Sequence, residues 1–329
     1  MKEHEIRPEA LLKRYVKLSE EDAKSCFSQS QWDSLNCVAC GNQEPVFQFS
    51  KSDFAYAKCE LCRTLYQTPR PALSAFERFY RDSESSRYWA EVFFPAVAEV
   101  RREKIFRPRV EGVFDMVQKH GSPIERLVDI GAGYGIFLDE WRSKFPETEL
   151  VAIEPSPSLA DECRAKGLRV IESIAENVTE LDGFADLVVC FEVLEHVHDP
   201  LAFVNDLKRM VRPGGYLFIS TLCIDGFDLQ ILWDQSSQIS PPHHINFFSV
   251  KGFDELFMRA GLTDVEIKTP GRLDVDIVRN AVNGNPSLLE GNRFLTRLLE
   301  DEEGAKSFQK FLSENKLSSH AWIMGRVPS

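Results

Sequence analysis

An α/β fold, with a mostly parallel sheet and helices on both faces, is predicted by two observations. Across the middle of the 329-residue chain, short apolar runs alternate with stretches of helical periodicity, a pattern that requires right-handed crossovers between parallel strands. The stretch 126–137, RLVDIGAGYGIF, is an apolar run ending in an acid, then three alternating glycines, then a helical restart. Such a strand, tight turn and helix bring backbone close to a ligand that a side chain would push away. A third observation adds a small N-terminal module: Cys37-Val-Ala-Cys40 and Cys59-Glu-Leu-Cys62, separated by eighteen residues.

Residues 1–35 read as a polar lead-in with one helix over Pro8–Leu18. Over 36–70 the two CxxC pairs match a four-thiolate tetrahedral zinc site, with Cys37, Cys40, Cys59 and Cys62 as ligands. Four thiolates close the coordination shell, so the zinc is expected to be structural, the staple of a small zinc ribbon. Residues 71–120 are expected to form a helical linker or cap, introduced by the proline-bearing TLYQTPRPALSAF and broken near Pro95 and Pro108. Tyr88, Trp89, Phe93 and Phe94 there read as helix packing rather than as a ligand pocket.

From 121 to 329 the elements follow one another closely. Residues 149–154 are a strand ending in an acid; 158–166 are helical, with Gly167 as C-cap; 169–172 and 185–193 are strands. Asp199-Pro200 caps a helix to Val211, Arg212-Pro-Gly-Gly215 is a turn, and 216–222 is the next strand. After an irregular loop come a helix at 250–261 and a sixth strand at 265–269; a final strand covers 320–327. The helical, charged run at about 271–316 reads as an insertion, with Glu300–Glu303 a solvated helix face.

The net charge of −12 argues against a nucleic-acid binder and against an anionic membrane surface. No apolar run approaches the roughly 18 residues that span a bilayer, so no membrane insertion is expected, and the charged start lacks a signal core. The expected compartment is the cytoplasm, where eight cysteines stay free or metal-bound.

Two cofactor classes fit a glycine turn. A nicotinamide dinucleotide prefers a third glycine where this chain has Ile136. Asp129, ahead of the glycines, would repel a pyrophosphate and suits a cationic cofactor without phosphate, namely S-adenosylmethionine. Glu154, nineteen residues past Gly135, suits a ribose diol.

VDIGAGYG, VAIEPS, CFEVLEHVHDP and VRPGGYLFIS, in this order and spacing, resemble the successive motifs of class I S-adenosylmethionine-dependent methyltransferases. The EVLEHV string is similar to that of a subgroup including ubiquinone-type O-methyltransferases and bacterial sugar and natural-product methyltransferases. The likeness covers residues 120–270. It implies a Rossmann-like, seven-stranded sheet whose last strand lies antiparallel between the fifth and sixth. It also implies that Gly131, Gly133 and Gly135 line the methionine part, with Asp129 near its ammonium group and Glu154 on the ribose. Ala175 and Glu176 would lie beside the adenine, and Phe191 and Glu192 would face the cofactor. Glu195 and His196 are expected to shape the start of the next helix, ahead of a metal site with Glu192.

In the loop CIDGFDLQILWDQSSQISPPHHINFFS, His243 and His244 are the candidates for catalytic base or substrate contact, because imidazole titrates near neutrality. The function expected is methyl transfer to oxygen or carbon of a small-molecule or sugar-linked acceptor. A nicotinamide-dependent oxidoreductase and a non-catalytic zinc-ribbon binding module are the alternatives. The sequence is silent on oligomeric state.

Overall fold

The computed structural model of the chain describes residues 1–27, 31–121 and 123–329. The chain divides into two compact units: residues 1–98, 222–252 and 268–321, and residues 99–221, 253–267 and 322–329.

The second unit is built on a seven-stranded sheet. Its strands are β1 (Arg126–Ile130), β2 (Glu149–Ile153), β3 (Arg169–Ile171), β4 (Ala185–Phe191), β5 (Val211–Leu222), β6 (Thr263–Lys268) and β7 (His320–Arg326), in spatial order β6-β7-β5-β4-β1-β2-β3. The last strand lies between the fifth and sixth. β1 pairs in parallel with β2 and β4, β2 with β3, and β4 with β5. Helices α1 (Arg107–Gln118), α2 (Ile136–Lys144), α3 (Pro157–Ala165), α4 (Pro200–Met210) and α5 (Val250–Arg259) accompany the strands. The central strands are buried on both faces, which is why 127–130 and 185–190 are continuously apolar apart from Asp129 and Asp186.

One core cluster joins Val113, Met116 and Val117 of α1, Phe137, Leu138 and Trp141 of α2, and Leu127, Val189, Phe218 and Met324 of the sheet. Fully burying each such side chain contributes about 1.5–3 kcal/mol. Gly112 matters to this packing, since a Cβ there would lie 2.4 Å from the Trp322 ring.

Several expectations change. The turn at Arg212–Gly215 is an irregularity inside β5, a register shift between Val211 and Tyr216 against β4. The breaks at Pro95 and Pro108 are π turns, Trp89–Phe93 and Arg102–Phe106. A proline has no N–H to donate and crowds the carbonyl four residues back. The widened turn instead gives the carbonyls of Trp89 and Arg102 to the N–H groups of Phe94 and Arg107, each one residue before a proline.

The third change lies in the first unit. The stretch expected as a proline linker is buried sheet: Leu65–Gln67 pairs with Phe54–Cys59, and Arg70–Pro71 with Trp32–Asp33. Leu65, Tyr66, Gln67 and Arg70 are all buried. Pro45–Lys51, Phe54–Cys59, Leu65–Gln67 and Asn246–Phe247 make a four-stranded antiparallel sheet, so a strand from the histidine-bearing loop completes the ribbon. The helix expected over Pro8–Leu18 runs Glu9–Phe27, after a short helix Glu3–Ile6, because Ala23 and Phe27 enter a core with Phe54, Phe76 and Phe79. Trp89 and Phe93 stack at 4.4 Å and pack beside Tyr15, a core role as expected. Helices Asp274–Gly284, Arg293–Glu300 and Glu302–Glu314 close around Phe227, Val278, Leu295 and Leu312.

Candidate functional site

The carboxyl ends of β1, β2 and β4 carry the residues on which the cofactor reading rests. Asp129 stands on β1, 2% exposed, and its Oδ1 has no hydrogen-bond partner among the described residues. Burial raises its carboxyl well above the ordinary range, opposed by the charge of Arg109. A buried, unsatisfied carboxylate oxygen costs about 1–3 kcal/mol or more, so this position favours a cationic donor.

Gly131, Gly133 and Gly135 all have positive φ, 67°, 55° and 65°. Their surroundings differ. A Cβ on Gly133 would meet nothing within 4 Å, whereas one on Gly135 would lie 2.9 Å from Leu168 Cδ1 and 3.0 Å from Cys163 Sγ. On Gly131 it would lie 3.1 Å from Val193. Gly133 therefore opens onto space, and Gly135 permits close packing against α3.

Glu154, at the end of β2, holds the turn in shape. Its Oε2 accepts the Gly133 N–H at 2.8 Å and its Oε1 the Ser156 N–H at 2.9 Å. Burial raises its pKa, opposed by these two donors. Each carboxylate oxygen keeps a further lone pair, so hydroxyl donors can still be accepted. Cys163, whose thiol burial pushes up to about 12, donates to the Gly133 carbonyl at 3.2 Å. Ala175 is buried in a short turn after β3, with Glu176 exposed beside it and Ile174 48% exposed.

Phe191 and Glu192 follow at the end of β4. Phe191 packs on Phe137, ring centroids 4.5 Å apart. Glu192 has φ 55°, a left-handed conformation uncommon for a residue with a side chain. Its Oε1 accepts from Ser220 Oγ at 2.5 Å and from Arg109 Nη2 at 3.0 Å. Arg109, on the first turn of α1, was not singled out in the sequence. It is 5% exposed, and its guanidinium lies 4.7 Å over the Phe191 ring. Its charge is felt by Asp129, Glu192 and Glu195. A lone arginine in a helix far upstream of the glycines carries no local sequence signal. Glu195 is buried in the turn before α4 and accepts from Thr221 Oγ1 at 2.6 Å; burial, then Glu192, pushes its carboxyl up to about 8. Three carboxyls thus surround one guanidinium, and burial holds those of Asp129 and Glu195 toward the neutral form.

The two histidines of the first unit differ. His243 is 4% exposed; its Nε2 lies 3.1 Å from Ser85 Oγ, and its ring packs on Phe79, Tyr15 and Tyr80. Those contacts make it a post inside the core. His244 is half-buried, with Nδ1 2.6 Å from the Gln238 carbonyl. A carbonyl only accepts, so Nδ1 carries the proton of that bond.

Cys37, Cys40, Cys59 and Cys62 bring their sulfurs within 4.8 Å of one another, and none of the eight cysteines forms a disulfide. Cys37 and Cys62 are 3.4 Å apart, Cys40 and Cys59 3.6 Å. Zn–S bonds of about 2.3 Å at tetrahedral angles need sulfurs about 3.8 Å apart, so the four thiols fit that ion. Each knuckle has a left-handed residue just after its second cysteine, Gly41 (φ 78°) and Arg63 (φ 67°).

A parallel sheet in this strand order, with an acid and a glycine turn ending β1 and a second acid ending β2, is the α/β methyltransferase fold. Residues 88–267, more than half of the chain, match the methyltransferase domain family, and the chain belongs to that family. Its methyltransferase domain is of the S-adenosylmethionine-dependent class. The ubiquinone biosynthesis O-methyltransferase of Xanthomonas oryzae pv. oryzae is 36% identical over 104 residues, covering 30% of this chain and 43% of the relative. The protein of the same name from Xanthomonas euvesicatoria pv. vesicatoria is 35% identical over 121 residues, covering 35% and 48%. The chain thus spans less than half the length of these curated relatives. The plantazolicin methyltransferase BamL, solved in complex with a triazolic desmethylPZN analog and SAH, shares the fold. It has a TM-score of 0.51 and 14% identity, over 77% of this chain and 94% of that one.

Proposed function

We propose that the protein methylates a small-molecule acceptor, at oxygen in the first instance, and belongs to the EVLEHV-bearing subgroup. The observations that carry the cofactor assignment are the unpartnered Oδ1 of buried Asp129 and the open space at Gly133, four residues further along the same strand and turn. A pyrophosphate there would meet a carboxylate, whereas the ammonium group of S-adenosylmethionine would satisfy it. S-adenosylmethionine supplies a methyl group on positive sulfur, open to in-line displacement. The chain's own task is then alignment and exclusion of water.

Asp129 would hold the cofactor's ammonium group, Glu154 its ribose hydroxyls, and the Gly131–Gly135 turn its methionine chain. Arg109 would take the carboxylate, the one anionic group of that cofactor. Ala175, Glu176 and Phe191 would flank the adenine and ribose, with Glu192 keeping Arg109 in place. For an acceptor hydroxyl a base is useful. His244 has the ring chemistry for it, with Nδ1 tied to a carbonyl, while His243 is given a bracing role. Zinc on Cys37, Cys40, Cys59 and Cys62 is proposed as structural, since no position remains for water or substrate.

The O-methyltransferase names of the relatives support oxygen as the acceptor atom, and a sugar-linked acceptor remains within the same chemistry. No helix among the described residues is long and apolar enough to cross a membrane. Titration calorimetry with S-adenosylhomocysteine tests the cofactor assignment, and labelled methyl transfer to a panel of phenols and sugar nucleotides tests the acceptor. Absence of binding overturns the reading.

A further inference from the structure

Arg109 reaches Glu192 from a helix whose preceding turn is not α-helical, and one side chain holds that turn at both ends. The π turn Arg102–Phe106 is closed by the Arg107 N–H on the Arg102 carbonyl. Glu140, 11% exposed on α2, accepts Arg102 Nη1 on Oε1 at 2.6 Å and Arg107 Nε on Oε2 at 2.8 Å. The two residues joined by the widened backbone bond are thus joined again through one carboxylate. Asp139, next on the same helix, accepts Arg102 Nη1 at 3.0 Å and is itself fixed by Arg142 at 2.7 Å. Arg142 in turn donates to the Lys166 carbonyl at 2.9 Å, beyond the end of α3.

The consequence is angular. A π turn accommodates one residue more than an α turn, and each residue of an α-helix advances about 100°. Were the turn to relax to α geometry, everything after it would rotate by about that amount relative to what precedes it. Arg109 lies three residues past Phe106, the last residue of the turn. Its guanidinium stands over both Phe106 of the turn (5.7 Å) and Phe191 of β4 (4.7 Å). A rotation of that size would carry it away from Glu192 and Phe191.

We infer that Glu140, with Arg102, is a positioning residue: it staples the π turn and so aims Arg109 at the carboxylate of the bound methyl donor. This deepens the cofactor assignment above and rests on it. Neither Glu140 nor Arg102 needs to touch the ligand.

The test compares two ligands on the full-length protein. S-adenosylhomocysteine carries the amino-acid carboxylate; 5′-methylthioadenosine shares its nucleoside and thioether and lacks that group. Glu140→Ala and Arg102→Ala are each expected to weaken S-adenosylhomocysteine by about tenfold, the scale of one charge-assisted contact. Methylthioadenosine affinity is expected to change by less than about twofold. Glu140→Gln, which keeps one acceptor oxygen, is expected to fall between Ala and wild type. The double variant Glu140→Ala/Arg109→Ala should be no weaker than Arg109→Ala alone, because both act on one contact.

Equal loss of both ligands would mean a general structural role and overturn the inference, as would unchanged S-adenosylhomocysteine binding or additive losses in the double variant. A wild-type protein that binds neither ligand would sink the methyl-donor assignment itself. One that binds both, with variants indifferent to the carboxylate, would sink only the positioning role.

Discussion

Arg109 Nη2 and Glu192 Oε1 lie 3.0 Å apart, and the guanidinium is the buried partner, 5% exposed against 32% for the carboxylate. The pair joins the N-terminal turn of α1 to the carboxyl end of β4, and the carboxyls of Asp129 and Glu195, both raised by burial, face the same guanidinium. Arg109→Met removes that cation while keeping side-chain bulk. Breaking a buried pair costs about 3–5 kcal/mol, and the partly exposed Glu192 reduces this to about 1–3 kcal/mol. Calorimetric affinity for S-adenosylhomocysteine should fall at least about tenfold, alongside a lower Tm. Unchanged affinity would remove Arg109 from the cofactor site.

The glycines of the turn separate by their surroundings. Gly135→Ala places a methyl 2.9 Å from Leu168 and 3.0 Å from Cys163 at φ +65°. It should lower stability by about 1–3 kcal/mol in denaturant titration. Gly133→Ala meets no neighbour within 4 Å, so its stability cost should be about 1 kcal/mol from φ alone. Its main effect is expected on KM for S-adenosylmethionine. A reversed ranking in either measurement would contradict this division of roles.

Zinc content provides a third check. One equivalent per chain is expected by elemental analysis, and Cys59→Ser should lose it. Cys59 is fully buried, with its Sγ 3.6 Å from Cys40 Sγ. Without the ion, Tm should drop by roughly 10 °C, the shift for a few kcal/mol in a chain of this size. A metal-free wild-type protein with the same Tm would refute the structural zinc.

The histidines differ in predicted consequence. His244→Ala should lower kcat by about 10²–10³ for a hydroxyl acceptor, within the usual range for a general base. His243→Ala empties a site walled by Phe79, Tyr15 and Tyr80, and should appear as a loss of Tm with kcat retained in the folded fraction. Equal turnover in wild type and His244→Ala excludes it as the base.

A pH dependence of stability follows from the first unit. Asp228 is wholly buried and accepts from Gln238 Nε2; burial, then Asp274, pushes its carboxyl up to about 8. Between about 4 and 8 the folded chain holds a proton there that the unfolded chain has released. Stability attributable to Asp228 is therefore full at low pH, falls as pH rises through that window, and is flat above it. Asp228→Asn should flatten this slope in urea titrations from pH 5 to 9. Glu195, pushed up to about 8 as well, adds a slope of the same sign that the variant leaves in place. An identical slope in both proteins would show that Asp228 is ionised throughout.

The alternation of strands and helices, the glycine turn with its two acids, and the paired CxxC units were legible because each is a local demand. A left-handed glycine, a strand-ending carboxylate or a pair of thiols two residues apart is specified by neighbours in sequence. Tertiary structure alone decided the rest. It drew Arg109 from a helix preceding the sheet to Glu192, with a separation of 83 residues, and it distinguished His243 from His244, which local pattern treats alike. It turned a proline-bearing linker into buried strand because Asn246–Phe247 pairs with it from far along the chain. It also converted two prolines from helix breaks into π turns, since a carboxylate on α2 was placed to hold the second of them. Such outcomes depend on which distant surfaces meet, and burial against those surfaces outweighs the preferences of any short stretch.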